Sequence, residues 1–198
     1  MLKLLMSVTI CLVSVVSFAE EFEAKAIAEA FLKKVEKKVT VNGLHVTYDD
    51  RVPQFIRGKF NPKKIWGVNE TWEQFVGRCK GTPTIGYGTT NNIAVKMKFI
   101  TEEDAIRFLK QDINLVYSKL CWKYEPHFTK LNSYQQAALI SYHYNCGYGK
   151  HPKLYKLLGS NPSEAWREMD AGYHTAKRNG ISGIIERRHA EWALYKTK

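Results

Sequence analysis

Cysteine is scarce in this chain of 198 residues: there are four, Cys11, Cys79, Cys121 and Cys146, and the first lies in an apolar leader. The three thiols beyond the leader are an odd number, which argues against a disulfide framework and allows one pair with a spare thiol. Neither the cysteines nor the six histidines fall at metal-ligand spacing, so no metal and no cofactor is expected. Acid is short as well, with 19 Asp and Glu against 30 Lys and Arg, a formal net charge of +11. No internal repeat or low-complexity segment appears, and no long apolar run follows the leader.

The leader itself is "MLKLLMSVTICLVSVVSFA": one early Lys3, an apolar run from Leu4, and a Ser17-Phe18-Ala19 ending. It resembles a secretory signal cleaved after Ala19, and the run is somewhat short for a bilayer-spanning helix, although a retained N-terminal anchor fits the same residues. Residues 20–198 are therefore expected to be exported to the periplasm or beyond the cell, touching the membrane only through residues 1–19. Losing the leader removes one lysine and leaves +10. A basic exported protein meets anionic surfaces, which include nucleic acid, anionic lipid and acidic wall polymers. No basic helix with interleaved base-reading residues stands out, so nucleic acid is not expected as a partner. About 180 residues suffice for one domain with a real core, expected to act as a monomer.

Apolar residues Ala24, Ile27, Ala28, Phe31, Leu32, Val35 and Val39 recur at helical spacing and predict an amphipathic helix from Glu21 to about Lys38. The period then changes. "VTVNGLHVTYDD" alternates around Asn42-Gly43, a dipeptide suited to a tight hairpin. Residues 51–83 mix prolines, basic residues and aromatics without a period and read as an irregular insertion. Thr101 with Asp104 predicts a capped helix over "AIRFLKQDINLVYSKL"; another starts at Asn132 or Ser133 and stops at Gly147 and Gly149. Asn161-Pro162 opens "SEAWREMDAG", and "GIIERRHAEWALYK" is a last amphipathic helix. A small antiparallel sheet segregated from helices gives an α+β class.

Between the hairpin and the helices lies "GTPTIGYGTT", whose glycines shape backbone and whose Ile85 and Tyr87 alone can pack. With "TIGYG" at Thr84–Gly88 after a helix and hairpin, "LISYHYNCGYG" ending in Asn145 and Gly147, and "GIIERRHAEWAL" carrying Gly183, Arg187, Arg188 and Glu191, the sequence resembles the phage-type lysozymes, the endolysins of glycoside hydrolase family 24. The resemblance implies a lysozyme-like fold with a substrate cleft between a β lobe and a helical lobe. It also implies a muramidase that cleaves the β-1,4 bond between N-acetylmuramic acid and N-acetylglucosamine in peptidoglycan. The family's glutamate, aspartate and threonine correspond to Glu36, Asp50 and Thr84. Tyr87 and Asn145 are candidate sugar contacts, Asn145 being equally a helix terminator.

The residue types suit the chemistry. Glycoside cleavage needs a protonated carboxyl for the leaving oxygen, and Glu36 borders the apolar stripe of Leu32 and Val35, where desolvation would raise its pKa. Asp50, kept ionised, would hold a water with Thr84 in the inverting arrangement. Asp49 is the alternative to Asp50. Arg187 and Arg188 are four and three residues from Glu191 on one helix, which predicts ion pairs closing the C-terminal region.

The chain departs from the family in having Lys37 after the glutamate, Thr89 in place of a frequent histidine, and 33 residues between Asp50 and Thr84. That insertion permits a rival pair, Glu70 with Cys79 in the aspartate's place. It also permits a lysozyme-like peptidoglycan binder without catalysis.

Overall fold

The computed structural model describes residues 2–36, 38–52, 54–56, 59–147, 152–161, 164–179 and 182–197. The chain divides into two compact units, residues 33–112 and residues 1–32 with 113–198. Short antiparallel strands lie in the first and helices dominate the second, the expected α+β class.

In the unit 33–112, β1 (Thr40–Val41) turns into β2 (Leu44–Val46) through Asn42 and Gly43, with φ of 51° and 80°. Two successive left-handed residues make the primed turn that Asn-Gly favours. On its other edge β2 pairs with β7 (Phe99–Ile100), His45 standing opposite Ile100. A second pairing was not legible in the sequence. β3 (Tyr48–Asp49) lies antiparallel to β6 (Pro83–Thr84), with Tyr48 opposite Thr84 and Asp49 opposite Pro83. The long insertion thus starts and ends on paired strands.

The described residues of that insertion form defined elements rather than an irregular run. It contains the hairpin β4 (Phe55–Ile56) and β5 (Lys59–Phe60), a 3₁₀ turn at Pro62–Lys64, and α2 (Trp72–Arg78). Thr71 and Gln74 form a capping box that starts α2, a signal present in the sequence and overlooked by reading for periodicity. Trp66 stacks on Phe75 at 5.8 Å between ring centres and meets Trp72 at 5.2 Å. Backbone bonds join this cluster to the strands, Trp66 N–H donating to Thr47 C=O at 2.9 Å. Lys98 Nζ reaches the carbonyls of Gly67 and Val68 at 2.6 and 2.9 Å. The helix α3 (Asn92–Lys96) and the start of α4 (Glu102–Tyr124) complete the unit, and Thr101 caps α4 through the Asp104 N–H, as expected.

In the other unit, α1 (Leu2–Val35) is one helix running through Ala19, and it buries Ala24, Ala28 and Leu32. Among the described residues, no helix is long and apolar enough to cross a membrane. Asn132 caps α5 (Ser133–Cys146), which is buried on every face from Gln136 to His143. Gly147 ends it at φ 68°, ψ −179°, a region open essentially to glycine alone. Gly149, Tyr148 and Lys37 lie outside the described residues.

Two helices differ from expectation. α6 (Pro152–Ser160) was unforeseen. α7 (Trp166–Arg178) begins four residues later than Pro162, which itself lies outside the described residues, and its Ala165 cap makes no side-chain bond. The last helix, α8 (Ser182–Tyr195), packs on α7 and α5. Glu191, fully buried, accepts from Arg187 Nε at 3.0 Å, from Ser141 Oγ at 2.6 Å and from Arg188. Arg187 also donates to the Ser141 carbonyl at 2.9 Å, so the expected ion pairs fasten α8 to α5. No disulfide joins Cys79, Cys121 and Cys146.

Candidate active site

The proposed trio begins with Glu36, half-buried in the bend just past the end of α1. Tyr48, on β3, is buried, and Lys64 Nζ sits 4.5 Å from the centre of its ring. Burial first, then the negative charges of Glu36 and Asp50, push the Tyr48 hydroxyl well above the ordinary tyrosine range. The charges of both carboxylates thus bear on one buried phenol of the unit 33–112.

Asp49 and Asp50 have opposite fates. Asp49 is fully buried, and its carboxylate accepts from the backbone N–H groups of Lys80 at 2.6 Å, Gly81 at 3.0 Å and Arg51 at 3.0 Å. Three main-chain donors saturate it, and they come from both ends of the insertion. Asp50 is exposed and accepts one such bond, from Thr82 N–H at 2.7 Å. Asp49 ends β3 and is buried, whereas Asp50 lies in the turn that follows, so one aspartate ties the loop while the next is exposed.

Thr84, 5% exposed, donates its hydroxyl to the Thr82 carbonyl at 3.0 Å. Thr82 thus links the two groups, its N–H holding Asp50 and its C=O holding Thr84. With its proton committed, the Thr84 oxygen has lone pairs with which to accept. Close approach here requires the glycine at position 81, because a Cβ there would stand 1.8 Å from Asp50 Oδ1 and 2.8 Å from Asp49 Oδ1.

The rest of "TIGYG" is a tight loop closed by paired bonds between Ile85 and Thr89, 3.0 and 3.1 Å long. Gly86 and Gly88 take φ of 62° and 94°. Tyr87 is buried, and its hydroxyl donates to Glu102. This is a packing role rather than an open face for a sugar. Thr89 bonds Asp112, whose carboxyl burial pushes above the usual range, the Thr89 bond only partly opposing it. Asn145 belongs to the other unit, where its side-chain oxygen accepts from the buried Arg188.

The rival pair is built differently. Arg78 grips Glu70, one of its bonds measuring 2.7 Å, and Gly67 N–H adds another at 2.8 Å. The Arg78 bond is the main reason the Glu70 carboxyl lies below the usual range, outweighing burial. The same guanidinium donates to the carbonyls of Lys63 and Ile65, so the pair clasps the insertion. Burial first, then Asp49, raises the Cys79 thiol to about 11, which keeps it protonated. A saturated, ionised glutamate and a protonated thiol are poorly suited to donate or accept a proton in catalysis.

Among the described residues no group of His, Cys, Asp and Glu could hold a metal ion. Sequence reasoning overlooked the pairing of Tyr48 with Thr84 and Gly81 as the residue that admits the Asp49 and Asp50 carboxylates. It also overlooked His45 and Glu102. The spacing of Gly81 to Thr84 was visible, but its meaning depended on the pairing of β3 with β6.

Comparison with known proteins agrees with the fold. A family model described as phage lysozyme matches residues 68–191, which include Thr84, Asn145 and the Arg187–Glu191 network but begin after Glu36 and Asp50. The chain is 32% identical over 127 residues to an endolysin of Acyrthosiphon pisum secondary endosymbiont phage 1, covering 61% of this chain and 84% of that protein. No solved structure matches the chain.

Proposed function

Because the chain belongs to the phage lysozyme family, and so is a glycoside hydrolase of peptidoglycan, we propose that it is a muramidase with Glu36 as general acid, Asp50 as general base and Thr84 as orienter of water. Cleavage falls at the β-1,4 bond between N-acetylmuramic acid and N-acetylglucosamine. Glu36 protonates the leaving oxygen while a water, giving a proton to Asp50, attacks the anomeric carbon from the opposite face. The configuration inverts in a single displacement.

The observation that carries this reading is the hold of Thr82 on both Asp50 and Thr84, next to the Tyr48 phenol that pairs with Thr84 and is raised by burial and then by the charges of Glu36 and Asp50. Thr84 has its proton engaged by the Thr82 carbonyl and Asp50 has one oxygen engaged by the Thr82 N–H. What remains on each is acceptor capacity, which suits a water that must be held by both its hydrogens. The saturation of Asp49 and Glu70 favours Asp50 and Glu36 over those two alternatives. We further propose export through residues 1–19, action as a monomer, and a supporting role for positive charge in holding an anionic wall.

Purified sacculi test it. Wild type should clear them and release reducing ends, whereas Glu36→Gln should lose about 10²–10⁴-fold in rate, the usual worth of a general acid. Full activity in Glu36→Gln would refute the assignment, and anhydromuramic ends would replace hydrolysis by transglycosylation. Wild type that binds sacculi without releasing ends would make the protein a binder.

A further inference from the structure

We infer that Glu102 is a positioning residue for the reaction, its carboxylate drawing together the three segments that carry Glu36, Asp50 and Thr84; the inference rests on the assignment of those three. Glu102 is the first residue of α4, where the helix N-terminus favours negative charge. Three donors reach it from three parts of the chain. His45 Nε2 donates to Oε2 at 2.7 Å, Lys38 Nζ to the same oxygen at 3.4 Å, and the Tyr87 hydroxyl to Oε1. Lys38 Nζ also donates to the Tyr87 hydroxyl oxygen at 3.3 Å, which closes the cluster.

Each donor stands beside a proposed functional residue. Lys38 is two residues after Glu36, His45 is five before Asp50 on the strand preceding β3, and Tyr87 is three after Thr84 in its glycine loop. The strands here are two or three residues long, so their ladders alone fix little. Bonds to an ionised acceptor are roughly twice as strong as neutral ones, and a carboxylate with three such donors is a strong point of fixation.

Burial supports the same reading. His45 is 1% exposed and its Nδ1 is buried without a hydrogen-bond partner. The Nε2 bond to Glu102 and a tilted contact with the Tyr87 ring, 5.6 Å between centres, therefore set the imidazole's orientation. Partial burial raises the Glu102 carboxyl, but the Tyr87 and His45 bonds with the Lys38 charge outweigh it and hold it at about 2. The anion is present throughout the working pH range.

The test compares full-length wild type with Glu102→Gln, Tyr87→Phe and the double variant on soluble glycan strands, with Glu103→Gln, an exposed neighbour on α4, as control. Glu102→Gln should lower kcat about tenfold and leave KM within about twofold, since it disturbs alignment rather than sugar contacts. Tyr87→Phe should lower kcat less, and the double variant should be no worse than Glu102→Gln, because both act through one cluster. Glu103→Gln should match wild type. A kcat within twofold of wild type for Glu102→Gln, with or without a lower Tm, would overturn the inference, as would full additivity in the double variant. Should Glu102→Gln fail to fold, Tyr87→Phe and Lys38→Met decide by the same kcat criterion. An active Glu36→Gln would instead count against the site assignment itself.

Discussion

Adding one methyl group at position 81 should damage both stability and catalysis, and the same change at position 77 should not. At Gly81 the new Cβ would meet Asp50 Oδ1 at 1.8 Å, Arg51 Cγ at 2.6 Å and Asp49 Oδ1 at 2.8 Å, all inside contact distance. Asp50 is exposed and can swing away, at the loss of its bond from Thr82 N–H. Asp49 is buried and held by three backbone donors, so relief there must move main chain. Overpacking of this kind costs about 1–3 kcal/mol. In a domain of this size each kcal/mol is worth about 2–4 °C of Tm, so Gly81→Ala should melt roughly 2–12 °C below wild type. Gly77 lies inside α2, where an added Cβ meets nothing within 4 Å. Ala there should stabilise by about 0.5–1 kcal/mol through helix propensity. Calorimetry of the pair, with clearance of sacculi, is the assay. The expected result is a fall of at least about tenfold in rate for Gly81→Ala, since the displaced Asp50 is the proposed base, whose catalysis is worth about 10²–10⁴-fold, and an unchanged rate for Gly77→Ala. Wild-type Tm and rate in Gly81→Ala would refute the argument that Asp49, Asp50 and position 81 are in close contact.

Glu191→Ala should cost about 3–5 kcal/mol, because it leaves Arg187 and Arg188 buried without their carboxylate, and denaturant midpoints will show it. Asp112→Asn should raise Tm at pH 7. Burial lifts the Asp112 carboxyl above its unfolded value, so wild type is penalised as pH rises through that range, and the advantage of Asn should vanish near pH 3. A Tm gain that persisted unchanged at pH 3 would exclude ionisation as its cause.

The parts of the fold that were legible are those where one period runs for many residues. The part of α1 from Glu21 onward, α4, α5 and α8 declared themselves by apolar spacing and by caps at Thr101, Asn132 and Gly147, each found in place. Asn42-Gly43 forecast its turn because few other dipeptides accept two positive φ angles. The insertion was misread because its order comes from contacts distant in sequence, such as Trp66 with Thr47 and Lys98 with Gly67. Elements of two or seven residues are too short to show a period. The choice between Asp49 and Asp50 could not be read either, since adjacent identical residues differ here in burial and in the backbone donors that reach them from residues 80–82, which are distant in sequence. The cluster around Glu102 was invisible for a related reason: its four members span residues 38 to 102 and share no motif.

The pairing of Tyr48 with Thr84 and of Asp49 with Pro83 has a consequence for how such an enzyme can change. The side branch starts and ends at that rung and is tied back to the strands by Trp66 N–H on Thr47 C=O, so its outer part can vary in length while that tie is kept. Lengthening a closed loop is cheap, about 0.6 kcal/mol for each doubling. The outer pair of strands, β4 and β5, is thus a place where new chain can be spliced in and refined for other ends, while the pairing of β3 with β6 is inherited intact.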